Sequence, residues 1–209
     1  MFYYYFDRYY WILIVPAMLF AMWAQTKVNS TYNRYNRVYS ARGMSAAQVC
    51  RQILDENGLF HIRVEHVSGK LTDHYDPKAG VIRLSDSVYA SSSVAAIGVA
   101  AHEAGHAVQY AVGYVPIKVR NAVIPLSQFG SSLSMPVLLI GLLFNQGILV
   151  QLGIVLFSTV ALFQLITLPV EFDASRRAMA EIRQGGLLMP DEADGAHKVL
   201  NAAAMTYVA

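Results

Sequence analysis

Hydrophobic and polar positions along this chain fall into long blocks, and the most informative blocks carry no charge. The first is Tyr9–Thr26, 18 residues between Arg8 and Lys27. That length crosses a bilayer as a helix. Aromatic residues crowd its ends, as interfacial anchors do: Tyr3, Tyr4, Tyr5, Tyr9, Tyr10, Trp11 and Trp23. We therefore predict a transmembrane anchor over residues 1–26, in preference to a cleaved signal peptide, whose basic start is nearly missing.

The second uncharged block is Asn121–Val170, 50 residues without Asp, Glu, Lys, Arg or His. It is long enough for two crossings joined at the turn Asn145–Gly147. Ile148–Leu168 is a clear span, whereas Leu126–Phe144 is diluted by serine and glycine, residues that suit helix contacts in lipid. The block predicts a transmembrane hairpin over 121–170; a buried soluble hairpin is the less favoured alternative.

Between these blocks, residues 27–120 have the periodicities of a folded polar part. Asn29–Arg37 indicates a linker at the membrane surface. Ser45 and Gln48 stand at capping-box spacing and predict the start of a helix, which Asn57-Gly58 should end.

Two strands and a further helix follow in that polar part. Phe60–Glu65 alternates apolar with polar residues, and Val81–Ser85 follows a turn, so both predict strands. Ser92 or Ser93 should cap the next helix. We interpret Val81–Ser85 as an edge strand that binds an extended peptide, with completion of a small sheet as the open alternative. The fold class predicted is mainly α with a small β-sheet, and residues 171–209 form a C-terminal helical segment.

The chemistry of the chain concentrates in the run His102-Glu103-Ala-Gly-His106. On a helix, positions 102 and 106 lie one turn apart on the same face, so both imidazoles can meet one metal ion. Glu103 lies beside them, where it can take a proton from water without being a ligand. A merely polar helix face is the alternative, but the preceding residues Val94–Ala101 are all apolar or glycine. Two histidines and a carboxylate in so apolar a helix would be costly without a partner such as Zn²⁺.

Composition and charge exclude other classes of protein. The chain is 55% hydrophobic and 14% charged, whereas soluble domains carry about 25% charged residues. The net charge of +2 and the lack of basic aromatic stripes give no footprint for nucleic acid. Cys50 is the single cysteine, without a partner for a disulfide, and is interpreted as a core thiol. A transporter or channel would need ionisable groups within its spans, and Asn121–Val170 has none.

Four separated segments, in order, resemble the bacterial membrane-bound neutral zinc metallopeptidases of the YugP-like type. They are Leu71–Pro77, Gly98–His106, Leu168–Ser175 and Ala203–Ala209. The resemblance implies a membrane-anchored, zincin-like metalloprotease in the bacterial plasma membrane, with Glu171 as third zinc ligand. Glu171–Ser175 is also similar to the Glu-x-x-Ala-Asp block of the membrane zinc proteases that include the CAAX prenyl proteases. Here Ser175 stands where that group has aspartate.

The candidates for the third zinc ligand can also be compared by their positions in the sequence. The downstream acids and histidine that can serve are Glu171, Asp173, Glu181, Asp191, Glu192, Asp194 and His197. Pro169 should end or kink the last span just before Glu171, which places that carboxylate at the membrane surface. The alternative is a charge that only flanks a membrane helix. We predict one Zn²⁺ per chain, held by His102, His106 and Glu171.

These predictions combine into a function. Glu103 would act as general base in zinc-dependent hydrolysis of peptide bonds, on peptides or membrane proteins at the bilayer surface. A catalytically inactive membrane scaffold with a protease-like fold is the alternative. Five basic residues follow the first span and only Arg8 precedes it, so the positive-inside rule places the site in the cytoplasm. The oligomeric state stays open, as does whether the protein continues past Ala209, because His197–Ala209 has helical spacing and no stop signal.

Overall fold

The structure is a computed structural model that describes residues 10–206. Within them the chain is mainly helical with one small sheet, as the sequence predicts. Three helices are long and apolar enough to span a membrane: Trp11–Tyr35, Val115–Leu143 and Gly147–Gln184. The predicted anchors Tyr3, Tyr4, Tyr5 and Tyr9, the flanking Arg8 and the last residues, 207–209, lie outside the described residues.

The first helix is longer than the sequence predicts. A π-helical turn, Tyr10–Ile14, leads into α1, Val15–Tyr35. The linker predicted for Asn29–Arg37 is therefore wrong as far as Tyr35. Packing explains the difference, since a Cβ placed on Gly195 of the last helix would lie 2.7 Å from the Tyr35 ring. This tertiary contact stabilises helix where Asn and Thr favour it little.

The second helix is defined by local signals, as predicted. In α2, Ala46–Glu56, the Ser45 hydroxyl accepts from the Gln48 N–H at 3.3 Å, and the Gln48 side chain accepts from the Ser45 N–H at 2.8 Å. The helix ends at Asn57, and Gly58 takes a φ of +71°, a conformation that favours glycine. Its apolar face is fully buried, at Val49, Cys50, Ile53 and Leu54.

Three strands form one sheet in the order β1-β3-β2. They are β1, Arg63–Val67; β2, His74–Asp76; and β3, Val81–Ser85. The first begins three residues later than predicted, and β2 was not predicted, because three residues are too few to show a period. The interpretation of β3 as an edge strand is wrong: it is central, parallel to β1 and antiparallel to β2. Both of its edges are hydrogen-bonded, so it cannot add a peptide strand.

After the sheet, α3, Val94–Ala111, carries the histidine pair, and α6, Pro190–Met205, lies near the end of the described residues. Ser93 is the cap, since its hydroxyl accepts from the Ala96 N–H at 3.2 Å, which resolves the choice between Ser92 and Ser93. The chain divides into two compact units. One comprises the described residues up to Val108 together with those from Asp173 onward. Its core packs α2, β3, α3 and α6 against Met179 and Ile182, around residues such as Ile53 and Ile97.

The other unit, Gln109–Phe172, contains α4, Val115–Leu143, and most of α5, Gly147–Gln184. A Cβ on Gly130 would lie 2.0 Å from the Thr159 hydroxyl oxygen, so α4 and α5 approach closely there, as the small residues predict. Pro169 does not end α5, because a proline removes a single N–H donor, a loss that membrane helices tolerate. The domain limits 27–120 and 171–209 stay predictions.

Candidate metal centre

Helix α3 has a buried face and a half-buried face, and the candidate metal ligands and general base lie on the half-buried face. Ala100, Ala101, Ala104 and Ala107 are completely buried in the core, whereas His102, Glu103 and His106 are half-buried. The two imidazole rings lie edge to face, with centroids 4.7 Å apart. Alanine is the best helix former, and its small side chain lets α3 sit close to its neighbours. The helix thereby presents two imidazoles and a carboxylate at a partly accessible surface.

A close approach of α5 to α3 occurs at Gly105, between the two histidines. A Cβ built on Gly105 would lie 2.5 Å from the carbonyl oxygen of Ala174. Cβ atoms in proteins are essentially never found so close to another heavy atom. Glycine is thus required there because the backbone of α5 occupies the space. The crossing brings residues of α5 beside the histidine pair.

Ser175 uses this approach to contact His102. Its hydroxyl lies 3.1 Å from Nδ1 of the His102 ring. A hydrogen bond to one ring nitrogen fixes the orientation of an imidazole and selects the other nitrogen as the metal donor. In the sequence, Ser175 stands where related membrane zinc proteases have an aspartate, and its contact with His102 was not predicted. The available signal was its spacing, since residue 175 follows residue 171 by one helical turn.

One turn before Ser175 on the same helix stands Glu171, the predicted third ligand. One ligand atom from each of His102, His106 and Glu171 lies within 4.8 Å of the others. The Glu171 residue is 5% exposed, and a buried carboxylate beside two imidazoles is an arrangement that a dication stabilises. Two imidazoles and one carboxylate form a donor set of catalytic zinc sites, which keep a fourth position open. The residues present therefore fit Zn²⁺.

The turn of α5 that carries Glu171 is held by a second buried contact. Gln109 is fully buried, and its side-chain amide donates to the Val170 carbonyl at 2.8 Å. Both residues belong to the same compact unit. A buried amide that binds the preceding carbonyl limits rotation of the Glu171 backbone. Outer partners of this kind orient metal ligands in known sites.

Four of the other acids considered as third ligands hold structural partners instead. Asp173 is buried and bonds the guanidinium groups of Arg176 and Arg177. Glu181 accepts from the Asn57 amide at 2.9 Å, and Asp194 pairs with Arg183 at 3.2 Å. Glu192 accepts from the Ala41 N–H at 2.7 Å. Among the described residues, none of these four carboxylates belongs to the group that contains the histidines.

Further titratable groups outside the triad have structural roles. Burial raises the pKa of the Cys50 thiol, and the negative charge of Glu103 raises it further, which keeps Cys50 a neutral core thiol, as predicted. His74, the first residue of β2, donates from its ring Nδ1 to the Thr72 carbonyl at 2.7 Å. A hydrogen bond from the Gly69 N–H and the His66 ring lower the pKa of Asp86. None of these three side chains joins the metal-ligand group of the described residues.

Comparison with known proteins bears on this geometry. A family model described as "putative neutral zinc metallopeptidase" matches residues 10–209. A protein of Bacillus subtilis (strain 168) named "putative membrane protease YugP" is 46% identical over 197 residues, which are 94% of this chain and 88% of the relative. No solved structure matches the chain. The resemblance drawn from the sequence is confirmed, and the chain belongs to this family of neutral zinc metallopeptidases.

Proposed function

We propose that this protein is a membrane-embedded zinc peptidase with one Zn²⁺ per chain, held by His102, His106 and Glu171. The observation that supports the proposal is that these three donors, from two helices, lie close together, although Glu171 follows His106 by 65 residues in the sequence. A zincin-like arrangement of sheet and metal helix fits the order β3 then α3. Membership of the family and the name of the bacterial relative support peptide hydrolysis.

The side chains of this chain would divide the reaction between them. Zinc, when bound, supplies a Lewis acid that polarises the peptide carbonyl and acidifies a water. Glu103 takes the proton of the attacking water on its carboxylate oxygen and returns it to the nitrogen of the leaving amine. Ser175, at Nδ1 of His102, would orient the ring so that Nε2 serves as the metal donor. Glu103 is half-buried, so it is partly accessible.

We further propose that the substrates are peptides or membrane proteins cleaved at the surface of the plasma membrane, with the site on the cytoplasmic side. Three helices with the length and composition of membrane spans support the location. The basic residues that follow the first span favour the cytoplasmic side: Lys27, Arg34, Arg37, Arg42 and Arg51. The chain would then have two partners, its peptide or protein substrate and the lipid bilayer.

The decisive experiment separates metal binding from catalysis. We expect Glu103→Gln to keep zinc, because the residue is not a ligand, and to lower peptide hydrolysis by about 10²–10⁴-fold, because an amide cannot carry the proton. Zinc content and peptide cleavage are measured on the purified full chain, with and without a chelator. Glu56→Gln, which changes an exposed carboxylate on α2, serves as the matched control and should cleave normally.

The same measurements distinguish a peptidase from an inactive scaffold. A scaffold would bind zinc and show no chelator-sensitive cleavage in the unmodified protein. Equal cleavage by the unmodified protein and Glu103→Gln would show that another group is the base. His102→Ala and His106→Ala should lose both zinc and activity, and retention of zinc in both would contradict the metal site itself.

A further inference from the structure

A pocket unrelated to the metal centre lies between α1 and α6. Its volume is about 450 Å³, within the range of ligand pockets. Three cationic side chains line it, Lys27 and Arg34 from α1 and Lys198 from α6, and no carboxylate of the part of the chain that the structure describes does. The lining also includes two aromatic residues and an amide, Trp23, Tyr35 and Asn201. The pocket is thus a concave site of positive charge with polar and aromatic walls.

Within residues 10–206 the three cations have no acidic partner. The ion pairs of the described residues engage neither Lys27, Arg34 nor Lys198. Arg34 instead lies over the Tyr35 ring, 5.6 Å from its centroid. Like charges brought together repel unless an anion joins them. Their convergence in one pocket therefore favours an anionic ligand.

The position of the pocket along α1 identifies the kind of anion. Lys27 is the first charge after the uncharged block Tyr9–Thr26. With the membrane location of the proposed function, on which this inference rests, the pocket begins where that block leaves the bilayer. Trp23, 52% exposed, stands at this level, where tryptophan prefers the headgroup region. The apolar positions before it are also exposed, as at Leu19, 61%, and Met22, 64%. The charged end of a ligand in the pocket would thus lie directly beside an exposed apolar surface of α1 that can contact acyl chains.

We propose that this pocket binds the phosphate headgroup of an anionic phospholipid, with its acyl chains along the exposed apolar part of α1. Basic pockets beside transmembrane helices recognise such headgroups. Asn201 adds a neutral donor, while the aromatic walls suit the glycerol region. Bound lipid would hold α6 against α1 at the membrane surface. A soluble phosphate has the same charge but would gain nothing from Leu19 and Met22.

The test measures lipid binding by the full chain purified in detergent. Native mass spectrometry compares phosphatidylglycerol with phosphatidylcholine, and inorganic phosphate is added as competitor. We expect phosphatidylglycerol to be retained preferentially. The triple variant Lys27→Gln, Arg34→Gln, Lys198→Gln should bind it about a hundredfold more weakly, since each cation near a headgroup contributes about a factor of five.

A matched control removes the same charge elsewhere. Arg37→Gln, Lys70→Gln, Lys78→Gln changes three exposed cations that do not line the pocket and should bind as the unmodified chain does. Equal loss in both triples would show general surface charge, and unchanged binding in the first triple would overturn the site. Displacement of the lipid by inorganic phosphate at equal concentration would overturn the lipid source. Lys198→Gln alone, on an exposed helix face, should weaken binding about fivefold even if the triple variant folds poorly.

Discussion

At the residue scale, the orientation of His102 depends on one hydroxyl. Ser175 contacts its Nδ1 at 3.1 Å, and loss of such an outer partner lowers metal affinity by about 10–100-fold. We expect Ser175→Ala to weaken zinc binding by that factor, measured by competition with a chromogenic chelator. Ser158→Ala, which removes an exposed hydroxyl from the same helix, should change nothing. Unaltered zinc affinity in Ser175→Ala would show that the hydroxyl does not orient the ring.

The identity of the third zinc ligand can also be tested by changing single residues. We expect Glu171→Ala to lower zinc affinity by about a hundredfold or more, because apparent zinc binding energies of about 10–16 kcal/mol are shared among three or four donors. Metal analysis of the purified protein measures this directly. His197→Ala removes a histidine that contacts Asn201 on α6, and it should keep full zinc. Full occupancy in Glu171→Ala with loss in His197→Ala would move the ligand to α6.

Asp173, two residues from Glu171, should separate stability from metal binding. Its side chain is 4% exposed and bonds Arg177, whose side chain is 26% exposed. Asp173→Asn should therefore keep zinc but lower the free energy of unfolding by about 2 kcal/mol, the value of a charged hydrogen bond. Thermal unfolding with parallel zinc analysis measures both. Loss of zinc at unchanged stability would make Asp173 part of the metal site.

At the element scale, the crossing of α3 and α5 depends on a missing side chain. In Gly105→Ala the new Cβ would meet the Ala174 carbonyl at 2.5 Å, so the helices must separate. Overpacking of this kind costs about 1–3 kcal/mol, and we expect lower zinc affinity together with lower thermal stability. Gly98→Ala on the same helix places its Cβ 3.5 Å from Ala196, an ordinary contact. That control should be neutral or more stable by about 0.5–1 kcal/mol.

A normal melting temperature and zinc content in Gly105→Ala would mean that the helices have room to move apart without disturbing the ligands. The crossing would then not determine the geometry of the triad. Equal damage in Gly98→Ala would instead show that α3 tolerates no added volume at either glycine.

At the scale of the whole molecule, three helices have the length and composition of membrane spans. If each crosses once, the residues after α1 lie on one side and the α4–α5 turn on the other. We expect a cysteine at Arg37 to react with a membrane-impermeant reagent only from the cytoplasm, and one at Gln146 only from outside. Both positions are exposed, and Cys50 is fully buried and should not react. Labelling of both cysteines from one side would contradict the three-span arrangement.

The sequence by itself determined the features that depend on local or periodic signals. The length of uncharged blocks predicted the three long helices, and the spacing of Ser45 and Gln48 predicted the start of α2. The spacing of His102 and His106 placed both imidazoles on one helix face. These features follow from backbone geometry and neighbouring side chains, which hold wherever the segment packs.

Only the tertiary structure decided the features that depend on distant residues. Asn29–Tyr35 is helical because it packs on α6, and β3 is central because the three-residue β2 pairs with it. Glu171 and Ser175 reach the histidines because Gly105 lets α5 approach α3. Such outcomes follow from close packing between segments far apart in sequence, and no local pattern encodes which backbone will occupy the space that a glycine leaves.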